Sequence, residues 1–190
     1  MNSRYIFSSM LRNSDLDEAP FQLEKLEKFK WKTGDYVVGQ ITDPGNDQMK
    51  IELVNGRMRS IMKEDLVAGA LGERYATLEA TGSWREIGED GIMHLLTGGG
   101  LLGKCTSKSV YLPNLIEIKY MGHMVRGDKI CHMDDFVKRI PFQKFDLPVI
   151  LLVGTSMSAG KTTVARIIVN QLKRTGLKIV AGKLTGASRY

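Results

Sequence analysis

Three consecutive stretches near residue 150 constrain this chain more than any other feature. PVILLVG (148–154) is a continuous apolar run of strand length, and GTSMSAGKT (154–162) is rich in Gly and Ser. TTVARIIVNQLKRTG (162–176) then places Val164, Ile167, Ile168, Gln171 and Leu172 on one helical stripe. An apolar run without alternation predicts a strand buried on both faces. Lys173 and Arg174 followed by Gly176 form the usual helix stop. LKIVAGK (177–183) reads as the next strand, so the segment predicts a β-loop-α-β unit.

Gly160, Lys161 and Thr162 carry the chemistry of this segment. Phosphate requires converging N–H donors, a positive charge and a metal-bound oxygen, and a glycine-rich loop that opens a helix supplies all three. The amides of residues 158–162 (Ser158, Ala159, Gly160, Lys161 and Thr162) are expected around a β-phosphate. Lys161 is expected to reach the β- and γ-phosphates, and the Thr162 hydroxyl to ligate Mg²⁺. The cofactor-binding set is therefore Gly154, Thr155, Ser158, Ala159, Gly160, Lys161, Thr162 and Thr163, with Thr162 as the metal contact. The usual G-x-x-x-x-G-K-[ST] spacing puts glycine where this chain has Thr155, and Gly154 lies one residue earlier.

GTSMSAGKT followed by a helix and VAGK resembles the G-T-D-x-x-x-G-K-T loop and A-G-Y-K segment of dethiobiotin synthetase. It is also similar to the molybdopterin-guanine dinucleotide biosynthesis adaptor group and to a P-loop family with a G-T-D-C-A-x-G-K loop. The early glycine is normal in these proteins. The resemblance covers about residues 149–186. It implies that Gly154, Thr155, Gly160, Lys161 and Thr162 form a phosphate loop and that Lys183 assists catalysis, as the lysine ending the second strand does in dethiobiotin synthetase. Ser156 replaces the loop Asp, and Leu184 stands where proline follows that lysine. What carries over is thus Mg-dependent ATP or GTP binding, with hydrolysis or phosphoryl transfer for activation of a small-molecule substrate, rather than the biotin-pathway substrate. The alternative is a nucleotide-switched module whose β-domain binds a protein or nucleic-acid partner without turnover.

The preceding residues read differently. Residues 1–20 lack periodicity and are expected to be a loosely docked lead-in, and FQLEKLEKF (21–29) to form a short amphipathic helix. From residue 31 to about 140, short alternating runs are separated by turn residues. Strands are expected at 35–42, 48–54, 57–62, 74–80, 92–96, 102–105, 115–120 and 124–125, with Asn55-Gly56 as a tight hairpin turn. The expected fold is α+β: a lead-in and short helix (1–30), a β-rich amino-terminal domain that is a small barrel or sandwich (31–140), a linker (141–147), and the first β-loop-α-β unit of a P-loop α/β domain (148–190). Two strands and one helix cannot make a doubly wound sheet. The chain therefore reads as a truncated piece of a longer protein, inactive by itself, or as one that a partner chain completes.

Other features are read as structural. His94, Cys105, His123, Cys131 and His132 show no paired spacing of the kind zinc sites use, and Gly98-Gly99-Gly100 is read as relief of crowding at a sheet bend. KTGDYVVGQI (32–41) invites comparison with an oligonucleotide-binding barrel, but aromatics do not recur at stacking intervals, so nucleic acid is not an expected partner. The net charge of +6 over 190 residues permits an anionic partner without naming one. No apolar run reaches spanning length, and two cysteines are too few for a disulfide framework. A cytoplasmic protein without a membrane partner is expected, and a homodimer is among the expected assemblies.

Overall fold

The computed structural model describes residues 4–45, 49–76, 79–138, 140–144, 146–154 and 159–183. These fall into two units, one ending at Lys138 and the other lying within Arg139–Ala187.

The first unit is built on a ten-stranded sheet. In chain order the strands of this unit are β1 (Tyr5–Phe7), β2 (Gln22–Glu24), β3 (Tyr36–Asp43), β4 (Ile51–Glu52), β5 (Met58–Arg59), β6 (Leu66–Leu71), β7 (Glu73–Tyr75), β8 (Ala80–Ser83), β9 (Ile92–Thr97), β10 (Leu101–Lys108), β11 (Glu117–Arg126) and β12 (Lys129–Ile130). β4 and β5 form a separate hairpin, closed by the Asn55-Gly56 turn in which Gly56 has φ +80°. The main sheet runs β6-β3-β11-β9-β10, and β10 then pairs with β6 in parallel. The ladder thus returns on itself as a five-stranded barrel, which removes the open edges of those strands. β1 lies parallel to β6 outside this ring, and β8 with β7 extends it from β10.

Alternation decides which side chains fill the barrel, because successive strand residues face opposite sides. Val37 and Ile41 of β3, Val67 and Leu71 of β6, Met93 and Leu95 of β9, Leu102 of β10 and Ile118 of β11 form one buried cluster. Their neighbours Tyr36, Val38, Ala68 and Ala70 face outward and are buried by Phe7, Leu11 and Leu16. The amino-terminal segment is therefore part of the fold, contrary to the expectation of a loosely docked lead-in: Leu16 is 0% exposed and Leu11 1%. It is fixed by polar contacts as well. The Ser9 hydroxyl donates to Glu52 Oε2 at 3.1 Å, and Arg12 donates to Glu52 Oε1 at 3.1 Å. A buried carboxylate satisfied by two donors avoids the cost of an unpaired charge.

Residues 21–29 also depart from expectation. They form β2 and a 3₁₀ turn at Lys28–Lys30 rather than an amphipathic helix, because Leu23 and its flanking polar residues pair with Met124 and its neighbours on β11. Trp31 then packs on Tyr120 and His123, with ring centroids 4.5 and 5.3 Å away. The Tyr120 hydroxyl lies 2.6 Å from His123 Nδ1 and receives the Leu26 N–H at 3.4 Å. His123 Nε2 lies 3.3 Å from Asp35 Oδ2, without hydrogen-bond alignment.

The second unit overturns the expected fold class. The strands predicted at 149–153 and 177–183 do not form among the described residues, and one helix, α1 (Lys161–Lys173), is its sole regular element there. The overall class is therefore a β-rich fold rather than α+β with a β-loop-α-β unit. The reason is the absence of partners: a strand is held by main-chain bonds to a neighbour, and among the described residues none runs beside these. Val149, Ile150, Leu151 and Val153 are all more than 60% exposed, and α1 buries none of its side chains.

Two outcomes test the first unit. Gly100 has φ +100°, and a Cβ there would stand 1.9 Å from Ser8 Oγ, whereas a Cβ on Gly56 would meet nothing within 4 Å. Gly100→Ala should cost about 3 kcal/mol and Gly56→Ala about 1 kcal/mol in urea unfolding; equal costs would contradict the packing described. Burial pushes the phenols of Tyr36 and Tyr120 up to about 12. Unfolded tyrosine loses its proton near 10, so both contribute stability fully below about pH 10 that is lost as pH rises toward 12. Ultraviolet titration should show phenolate from these two residues appearing last and together with unfolding.

Candidate phosphate-binding segment

Gly160 stands immediately before α1, and its φ of +78° places it in the left-handed region. An L side chain there is strained, so glycine lets the chain turn directly into the helix. The first intrahelical bond runs from Val164 N–H to Gly160 O at 2.9 Å. The amides of Lys161, Thr162 and Thr163 precede that first bond and sit at the positive end of the helix dipole. The first turn carries no acidic residue to compete for that end.

Lys161 turns back from this helix onto Gly154, and its Nζ donates to the Gly154 carbonyl at 3.3 Å. A Cβ on Gly154 would stand 3.0 Å from Lys161 Cγ and Cδ and 3.2 Å from Nζ. Glycine at 154 is thus what allows the lysine stem to lie along the main chain, which gives a physical role to the glycine that stands one residue before the usual position. Ala159, Thr162 and Thr163 are exposed. Thr155 and Ser158 lie outside the described residues. Lys183 is exposed in irregular backbone rather than at the end of a strand.

A concavity that sequence reasoning missed lies on the first unit. It has a volume of about 350 Å³ and is lined by Asp43, His94, Cys105, Lys108, Asn114 and Glu117, among others. Asp43 pairs with Glu117, and Glu117 with His94, across β3, β11 and β9. The signal is invisible in one dimension because the three residues are far apart in sequence and meet only through register. Burial holds the His94 imidazole below its usual range; Lys104 reinforces this and Glu117 opposes it. His94 Nδ1 receives the Cys105 N–H at 3.2 Å.

The remaining motifs have structural explanations. Gly98 and Gly100 admit close approach of Lys50 O and the Ser8 side chain. His132 caps the 3₁₀ turn Met133–Phe136 by accepting from the Asp134 N–H. Cys105 and Cys131 are free thiols. Among the described residues, no group of three or more His, Cys, Asp or Glu is placed to hold a metal ion, and no helix is long and apolar enough to cross a membrane. No family model matches this chain, nor does any curated protein or solved structure.

Proposed function

We propose that residues 154–163 bind the phosphates of ATP or GTP with Mg²⁺. The observation that carries this reading is the return of Lys161 from the helix start onto Gly154. It holds one cation, three helix-end amides and a threonine hydroxyl within one short segment. The Lys161 ammonium exchanges its carbonyl partner for phosphate oxygens, a charge-assisted contact that is about twice as strong as a neutral one. The amides of 161–163 donate to the same anion, favoured by the helix dipole. The Thr162 hydroxyl is the Mg²⁺ contact, and Lys183 is a further phosphate or substrate contact.

Bound nucleotide supplies a transferable γ-phosphoryl group. The chain contributes positioning and charge neutralisation, which is what phosphoryl transfer requires. Activation of a small-molecule substrate is the use we assign to it. The two free thiols suit a reducing cytoplasmic setting.

A fluorescent ATP or GTP analogue titrated with Mg²⁺ into the whole chain tests the reading. Saturable binding should weaken at least about tenfold in Lys161→Ala, a loss of about 1.4 kcal/mol, and should lose its Mg²⁺ dependence in Thr162→Val. Equal affinity in Lys161→Ala, or no binding by the unsubstituted chain, would overturn it.

A further inference from the structure

We propose that residues 149–153 dock as an added strand on the exposed sheet edge of an acidic partner protein. Val149, Ile150, Leu151 and Val153 are exposed, and among the described residues no main-chain bond takes up the N–H or C=O groups of 149–153. An apolar run with bare backbone groups is a template for pairing with another chain. The edge strand of a partner answers both needs at once, with main-chain bonds along one side and pockets for the side chains. Every position of the run is apolar rather than every second one. It therefore fits an edge that the partner covers on both faces.

Charge specifies the partner. Between Arg139 and Ala187 the chain carries eight Lys or Arg and one acidic residue, Asp146, whereas the rest of the chain is nearly balanced. The excess positive charge is thus concentrated in the second unit. Arg166, Lys173, Arg174 and Lys178 are exposed, and among the described residues none of these four takes part in an ion pair. The bond from Lys161 Nζ to the Gly154 carbonyl holds the start of α1 beside the end of the apolar run, so the cations of α1 accompany it to the partner. A field of one sign steers and orients a partner of the opposite sign.

The same observations weigh against other occupants. An anionic membrane would attract the cations, but hydrocarbon offers nothing to the bare N–H and C=O groups of 149–153. Nucleic acid would also attract the cations, yet it has no sheet edge and no pockets for valine and leucine. A second copy of the chain brings the same excess of positive charge, which repels. An acidic protein edge satisfies the backbone, the apolar side chains and the charge together.

The surface is independent of the nucleotide reading, and its test is run without nucleotide so that the two can fail separately. A short fluorescent peptide alternating valine and glutamate, titrated with the whole chain and followed by anisotropy, serves as the acidic edge. Saturable binding is expected, weakening as salt is added, with slowed amide exchange at 149–153. The same peptide with lysine in place of glutamate should bind at least about tenfold more weakly. Leu151→Pro removes one main-chain donor from the run and should lose about tenfold in affinity while the first unit melts at an unchanged temperature. Lys178→Glu should lose affinity through charge alone and serves as the second variant. No saturable binding, equal binding of the lysine peptide, or unchanged affinity in Leu151→Pro would overturn the proposal. So would attachment to phosphatidylserine vesicles, binding to single-stranded DNA or self-association in sedimentation, if any of these protects 149–153 where the acidic peptide does not.

Discussion

Two residue pairs, Leu101 opposite Ala70 and Leu102 opposite Leu71, close the barrel on which the first unit depends. They bring the main chain of Gly100 and Leu102 close enough to receive the N–H groups of Ala70 and Gly72, each at 3.0 Å. Without that seam the sheet would be an open ladder with exposed edges, and Leu71 and Leu102, both now fully buried, would line a slot. The seam also explains the small residues around it. A Cβ on Gly69 would meet Gly100 O at 2.4 Å, so this position tolerates nothing larger than glycine. Closure then leaves an outer face on β3 and β6, which the amino-terminal segment covers.

How far the sequence disclosed this fold follows from which signals were local. Val37, Ile41 and the other alternating residues of β3 were legible because each strand face writes its own period, and the Asn55-Gly56 turn because its backbone demand is local. β6, LVAGAL, gave a poor strand signal because close packing at the seam selects Ala and Gly over the β-branched residues that mark strands. β11 read as two strands because a register shift at 120–122 interrupts its alternation. A Cβ on Gly122 would also crowd the main chain of Glu24. The docking of residues 5–16 was hidden in polar contacts such as Ser9 to Glu52, which span 43 positions and leave no periodic trace.

The second unit shows the opposite failure. Its apolar runs were legible as strands by composition, yet a strand exists only where another backbone takes up its N–H and C=O groups. A helix satisfies those groups internally, so α1 forms where residues 149–153 and 177–183 do not pair. The local features of the candidate phosphate segment survive the loss of the expected sheet for the same reason. The left-handed glycine and the first-turn amides depend on the helix start alone, and the folded-back lysine on that start and Gly154. The cleft residues Asp43, His94 and Glu117 were illegible for the converse reason, since only strand register assembles them.

Amide hydrogen exchange of the whole chain, with and without Mg²⁺-nucleotide, tests the central claim most directly. The account predicts that the amides of β3, β6 and β11 exchange slowly and equally in both conditions, whereas those of residues 159–164 exchange rapidly alone and become protected when nucleotide is added. Rapid exchange throughout the barrel, or amides at 159–164 that ignore the nucleotide, would contradict it.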